Sequence, residues 1–408
     1  MSALHAPMSG FAVRGHELCV NGVTLTQLAA RVGQTPFYAY DRSLLESRVA
    51  RLRSVLPAGI DLHYAIKANP MPALVCHVAR LVDGLDVASG GELRVALDAG
   101  AAARDISFAG PGKSLAELRQ AVAAGVLLNL ESMREVKLLA DISAELGLAA
   151  RVAVRVNPAY ELKASGMKMG GGPKQFGIDA EQVPTALAEI GRHGLAFEGF
   201  HMFSGSQSLR AEAICDAQTK ALELAVQLAA HAPSPVTMLN LGGGFGIPYF
   251  PGEKPLELEP IGAHMAGVAD AAKRQLPQAK LAIELGRYLV GEAGIYVCRV
   301  IDKKVSRGEV FLVTDGGLHH HLAASGNFGQ VLRKNYPVEI GNRVGAVARE
   351  LASVVGPLCT PLDLLADRMD LPAAQVGDLV VVFQSGAYGL SASPHAFLSH
   401  PLPSEVLV

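Results

Sequence analysis

The chain has 408 residues, half of them hydrophobic and 18% charged, with a formal net charge of −2. That is enough apolar material for more than one buried core. It leaves no cationic excess for nucleic acid or for an anionic membrane surface. Five scattered cysteines, Cys19, Cys76, Cys215, Cys298 and Cys359, form no CxxC pair, which argues against a disulfide framework and a structural zinc site. Residues 1–10 lack the basic patch and apolar stretch of a signal peptide. No apolar run reaches the roughly 18 residues of a membrane span, so a cytoplasmic protein is expected.

In chain order, 1–34 reads as a small β-rich lead-in with a short helix at 26–32. A strand follows at 37–40, and Asp41 is placed to cap a helix at 42–55. From residue 61 strand-like runs recur at 62–68, 85–89, 106–109, 127–130, 151–156, 197–203, 238–241 and 281–285. Helical patterns separate most of them, at 115–123, 133–146, 183–192 and 211–230. Eight such units predict a closed (β/α)8 TIM barrel, with an open doubly wound sheet as the alternative. Between 157 and 180 lies a long basic, glycine-rich stretch with Lys163, Lys168 and Lys174, the signature of a binding loop. After about residue 290 the rhythm stops. Alternating runs at 293–306, 309–314, 346–355 and 379–383, with a helix or loop at 361–369, predict a β-rich domain. The expected division is a barrel at 36–289 and a β-domain made of 1–35 and 290–408.

The predicted barrel strands end in polar or glycine-rich clusters, where barrel active sites gather. The first is centred on Lys67, in an apolar run stopped by Asn69 and Pro70. A lysine buried there has a lowered pKa and becomes an amine nucleophile; the plainer reading is a strand-end lysine reaching solvent. The Gly242–Gly246 run (GGGFG) is either a tight turn or a nest of backbone amides for an anion. Glu284 and Arg287, in ELGR, are either a local ion pair or a carboxylate for a ring nitrogen beside an arginine for a phosphate or carboxylate. Together they are the groups that a phosphorylated aldehyde cofactor needs.

Several of these segments resemble the fold-type III pyridoxal-phosphate decarboxylases, the group of diaminopimelate, ornithine and arginine decarboxylases. They are 64–69 (YAIKAN), 86–92 (DVASGGE), 205–207 (GSQ), 242–249 (GGGFGIPY), 284–287 (ELGR), 356–359 (GPLC), Asp363 and 386–389 (GAYG). The resemblance runs almost end to end. It implies an alanine racemase-like barrel with a C-terminal β-rich domain, pyridoxal 5′-phosphate as cofactor, and a homodimer with shared active sites. It also implies that Lys67 binds the cofactor aldehyde. Asp86 and Arg155 match polar positions near that lysine. Ser206, Gly243, Gly244, Gly286 and Arg287 match phosphate-binding positions, Glu284 the ring-nitrogen partner, and Tyr388 a residue at the phosphate end. Cys359 matches the cysteine that returns a proton in the neighbouring subunit's site. Thr360 and Asp363, with Arg287 and Tyr388, fall where substrate is held. No metal is implied; adjacent histidines such as those at 319–321 cannot all face one ion.

The departures bear on the substrate. Thr360 stands where diaminopimelate decarboxylases carry an acidic residue, and Ala323 where the resemblance places an arginine that clamps a substrate carboxylate. Phe203 replaces the histidine that stacks on the cofactor, and Leu285 replaces a proline. These features are similar to a subgroup of decarboxylase-like proteins found with exopolysaccharide and exosortase loci, and to decarboxylases of carrier-protein-bound amino acids. The preferred reading is an amino acid α-decarboxylase whose substrate is not free diaminopimelate. The alternatives are a true diaminopimelate decarboxylase making L-lysine, an amino acid racemase on the same barrel, and a non-catalytic cofactor-binding protein.

Overall fold

The computed structural model describes residues 5–6, 8, 10–159, 167–168, 170–330 and 333–408. The chain divides into two compact units. One comprises Met1–Ser47, Ile247–Lys254 and Arg287–Val408, the other Arg48–Gly246 and Pro255–Gly286.

The second unit is a closed parallel barrel. Its strands are β1 (Ile60–Ala65), β2 (Gly84–Val87), β3 (Ile106–Phe108), β4 (Leu127–Leu130), β5 (Arg151–Asn157), β6 (Ala196–Met202), β7 (Met238–Gly243) and β8 (Lys280–Leu285). Each pairs with the next, and β8 pairs with β1, so no edge is left open. The β-branched and leucine-rich strands are buried on both faces, as a sheet ringed by helices requires. Among the intervening helices are Gly90–Asp98, Leu115–Ala124, Met133–Leu146, Val183–Arg192, Ala211–Ala229 and Glu259–Gln275. Three of them start on a serine side chain. Ser89, Ser114 and Ser132 accept from the amides of Glu92, Glu117 and Glu135, and Ser114 with Glu117 completes a capping box. Two of the polar strand-end clusters, at Ser89 and Ser132, are therefore helix caps.

The first unit is built on antiparallel strands. Gly294–Ser306 pairs with Leu379–Val382, Glu309–Thr314 and Phe37–Tyr40, and Glu309–Thr314 pairs in parallel with Arg349–Val355. Phe37–Tyr40, which directly precedes the barrel stretch in the sequence, thus belongs to this sheet. Residues 361–369, read as a helix or loop, run instead into the strand Leu364–Pro372, paired with Arg349–Val355. The sequence there alternates, and its buried positions Leu365, Ala366, Met369 and Leu371 follow the pleat more than a helical stripe. Asp41 caps the helix Arg42–Val55 as expected, accepting from the amides of Ser43 and Leu44 at 2.9 and 3.2 Å. The core of this unit joins Leu18, Val20 and Leu25 to Phe37, Ile295, Val297 and Val381. Among the described residues no helix is long and apolar enough to cross a membrane.

Candidate active site

Strand β1 stops at Ala65, two residues before Lys67. A single 3-10 turn, Ile66–Ala68, follows. Tyr64 donates to the carbonyl of Asn69 at 2.9 Å, and the Asn69 side chain accepts from the Met71 amide at 3.0 Å. The turn is locked from both sides, and Pro70 prevents it from continuing. It lifts Lys67 out of the strand, so its side chain is 42% exposed. Of the two readings of Lys67, the structure shows the lysine that reaches solvent: it is an accessible amine at the barrel mouth.

That amine faces Glu284, the penultimate residue of β8. Lys67 Nζ lies 3.7 Å from Glu284 Oε1 and 5.4 Å from the centroid of the Phe203 ring. Glu284 is 5% exposed. Its second oxygen, Oε2, is 3.0 Å from His201 Nε2 on β6. Burial alone would raise the Glu284 carboxyl. The Lys67 ammonium, the His201 hydrogen bond and the charge of Arg155 outweigh burial and hold it well below the usual carboxylate range. A buried carboxylate kept ionised beside a reachable amine and an aromatic face is a built arrangement, with three strand ends each contributing one part.

The register continues around the barrel. Glu284 pairs with His63, and Ala65 with Asp86. Asp86 Oδ1 accepts from Ser107 Oγ and lies 3.4 Å from His63 Nδ1, while Oδ2 is buried with no hydrogen-bond partner. Burial pushes the His63 imidazole down, but the carboxylates of Asp86, Asp61 and Glu284 raise it above its ordinary value. Arg155 is buried and donates to Glu131 at 2.8 Å, with Phe176 stacked 5.0 Å from its guanidinium. Glu131 also accepts from the amides of Gly110 and Gly177. Nearby, Lys113 is buried in a pair with Glu135 at 2.9 Å. These strand-end charges bind one another and hold the loops of the barrel mouth.

Two glycine-bearing segments lie side by side past β6 and β7. Ser208 donates its amide to Gly244 at 2.9 Å, and Gly246 donates back to Ser208 at 2.8 Å. A Cβ at Gly243 would overlap the carbonyl of Glu284 and the side chain of Leu285, and Gly242 holds a φ of +72° against the carbonyl of Met202. Only glycine allows that approach. Leu285, which replaces the proline of the resembled motif, is buried against this run. Gly286 follows β8 with Ala68 close behind it. Ser206 ends this surface, and its hydroxyl is buried without a hydrogen-bond partner. Its two-residue strand pairs antiparallel with Met167–Lys168 of the basic stretch. Of the lysines expected there, Lys163 lies outside the described residues and Lys174 is half-buried.

The remaining predicted residues fall in the first unit. The Arg287 guanidinium donates to Tyr249 at 2.7 Å and is stacked by Tyr249 and Tyr388, at 5.4 and 4.7 Å. Tyr388 has a φ of +52°, strained for a bulky residue. Cys359 is an exposed free thiol. Thr360 Oγ1 accepts from the Leu362 amide at 3.3 Å. Asp363, expected to meet substrate, is 3% exposed, and its two oxygens accept from the amides of Leu318 and Leu358 at 2.6 and 2.8 Å. With both oxygens engaged by the backbone it pins two loops together. Of the histidine run, His320 sits between the Tyr296 hydroxyl and the Pro401 carbonyl, and His321 meets Ser385.

Sequence reading missed His201, His63 and Glu131 as functional neighbours. His201 was within reach: it lies two residues before Phe203, and alternate residues of a strand share a face. The other two follow only from strand register.

Residues of this kind suit a phosphorylated aldehyde cofactor. The orphaned Ser206 hydroxyl fits an anionic group, Lys67 an aldehyde, and Glu284 a protonated ring nitrogen. Fold and site together define a class of barrel enzymes that work through such a cofactor. The model of the pyridoxal-dependent decarboxylase family, pyridoxal binding domain, matches residues 42–291. An L-glutamyl-[BtrI acyl-carrier protein] decarboxylase from Niallia circulans is 39% identical over 94% of this chain and 90% of its own length. A diaminopimelate decarboxylase from Aquifex aeolicus is 33% identical over 97% of this chain and 91% of its own. The crystal structure of diaminopimelate decarboxylase from M. jannaschii in complex with L-lysine superposes with a TM-score of 0.88 at 25% identity, covering 98% of this chain and 93% of that one. The chain belongs to the pyridoxal-dependent decarboxylase family, and it is a carboxy-lyase.

Proposed function

We propose that this protein removes the α-carboxylate from an amino acid whose far end is conjugated, with a carrier-protein-bound acyl group as the preferred class, rather than from free diaminopimelate. The observation that carries the reading is the state of the side chains at the distal positions. Ala323 is buried and has no charge, Thr360 is hydrogen-bonded within its own loop, and Asp363 is held by two backbone amides. Arg333, a nearby arginine in sequence, does not replace a clamp. It donates to the carbonyls of Ser325 and Leu364 and to Asn335. A substrate with a second free carboxylate and ammonium finds no charged partner at these positions, whereas an amide or thioester needs none. The likeness to the glutamyl carrier-protein decarboxylase supports the same reading.

When bound, pyridoxal phosphate supplies an electron sink that accepts the electron pair left as the Cα–carboxylate bond breaks. Lys67 would hold its aldehyde and release it to the incoming amine. Glu284, held as a weak base, would keep a proton on the ring nitrogen of the bound cofactor. Phe203 offers an apolar face for the ring, but no hydrogen bond. Ser206, Gly243, Gly244 and Gly286 would hold the phosphate, with Arg287 and Tyr388 serving anionic groups of cofactor or substrate. Asp86 and Arg155 would form a polar wall beside Lys67. Cys359, an exposed thiol, would return the proton to Cα in the site of a second copy of the chain, and the working form would then be a cytoplasmic homodimer.

Reconstitution with pyridoxal phosphate tests the cofactor assignment. The wild-type protein should show a visible absorption band that Lys67→Ala abolishes. A colourless wild-type protein, or a band unchanged in Lys67→Ala, contradicts it.

A further inference from the structure

Glu284 has two oxygens with different neighbours. Oε1 is the one 3.7 Å from Lys67, and Oε2 is the one 3.0 Å from His201. His201 is 2% exposed, near the end of β6 and two residues before Phe203. We propose that His201 is a positioning residue for Glu284: its Nε2–H donates to Oε2, fixes the carboxylate plane, and keeps the carboxylate a weaker base than the ring nitrogen it serves. This rests on the reading of Glu284 as the ring-nitrogen partner.

The physical case starts from competition for one proton. A carboxylate and a pyridine nitrogen that share a proton leave it on whichever is more basic. Burial makes a carboxylate more basic, so an isolated Glu284 would draw the proton to itself and leave the ring a poor electron sink. A hydrogen bond to the ionised form opposes this. The charged and titratable groups facing Glu284 are Lys67, His201, Arg155 and, across the β8–β1 register, His63. Lys67 is the residue committed to the cofactor, Arg155 is paired with Glu131, and His63 is paired with Asp86. Phe203 has no proton to give. The task falls to His201. A carboxylate only accepts, so the contact places the imidazole proton on Nε2. Nδ1 is buried with no hydrogen-bond partner. One ring nitrogen is thus aimed at Glu284 and the other serves nothing else, as expected of a residue present for that contact.

The test uses holoenzyme loaded with pyridoxal phosphate carrying ¹⁵N in its ring and reads the ring-nitrogen chemical shift against pH. Wild-type protein should show a protonated nitrogen across the neutral range. His201→Leu, which cannot donate, should move the signal towards the unprotonated position while cofactor stays bound. It should also lower kcat by roughly ten- to hundredfold with little change in KM, the scale expected for one hydrogen bond to a charged group. His201→Gln restores a donor of similar reach and should return the shift towards wild type. If His201→Leu does not fold, His201→Asn carries the test, since its shorter amide falls short of Oε2 and should behave as Leu does. A wild-type-like shift in the non-donating variant that folds overturns the proposal. Glu284→Gln separates the two levels. If it leaves the ring-nitrogen signal unchanged, the assignment of Glu284 fails; if it moves the signal while His201→Leu does not, only the role of His201 fails.

Discussion

Glu284 and Asp363 are buried to nearly the same degree, 5% and 3% exposed, yet the chain uses them in opposite ways. Glu284 is surrounded by side chains that carry or donate protons, namely Lys67, His201 and, at longer range, Arg155. They hold its carboxyl far below the ordinary range. Asp363 is met by backbone amides from Leu318 and Leu358, and burial leaves its carboxyl above the ordinary value despite those hydrogen bonds. The first carboxylate sits at the barrel mouth facing the accessible Lys67 amine. The second is a fixed pin between loops. Burial and acidity are shared, and the identity of the partners separates a chemical group from a structural one.

The contrast can be broken at either end. The largest effect is expected at the barrel mouth: Lys67→Ala should lower decarboxylation by at least about 10³-fold, read as CO2 release at saturating substrate, because the amine nucleophile is gone. Cys359→Ala should come next, slowing turnover about 10²-fold, the scale of a lost general acid, while the visible band of the bound cofactor is retained. A band lost together with activity would assign Cys359 to cofactor binding instead.

Glu131→Gln probes a charge that only supports the site. It leaves the buried Arg155 uncompensated and should lower the unfolding free energy by about 3 kcal/mol in a denaturant titration. The pH dependence gives a sign. Burial raises the Glu131 carboxyl, but Arg155, Lys113 and the Gly110 amide bring it below its ordinary value. Between that depressed folded pKa and the unfolded value of about 4.3, the unfolded chain binds more protons. Stability from Glu131 is therefore present above this window and lost as pH falls through it, and Glu131→Gln should flatten that part of the curve. Asp363→Asn should have the smallest effect, about 1–2 kcal/mol of stability from one weakened amide contact, with KM for substrate nearly unchanged. A large rise in KM would return Asp363 to the substrate site.

Much of the fold was legible because βα alternation leaves a periodic trace in Leu, Val and Ile. The motif around Lys67 was legible because Tyr64, Asn69 and Pro70 form a local turn. What stayed hidden was long-range. Asp363 looked like a ligand in sequence, since nothing local shows that the amides of Leu318 and Leu358 converge on it. The apolar neighbours of Lys67 left open whether it is buried or reaches solvent, and the 3-10 turn that exposes it depends on Tyr64 reaching Asn69. The strand at Leu364–Pro372 was taken for a loop or helix because its partner, Arg349–Val355, supplies the pairing. His201 and Glu284 are 83 residues apart, and only the closed barrel brings them together.

The most direct test of the central claim is a side-by-side CO2-release assay on the reconstituted enzyme with glutamate bound to an acyl-carrier protein and with free meso-diaminopimelate. The expected result is turnover of the carrier-bound substrate with diaminopimelate processed poorly or not at all. Efficient formation of L-lysine from free diaminopimelate, with no release from the carrier-bound substrate, would contradict the account built on Ala323, Thr360 and Asp363.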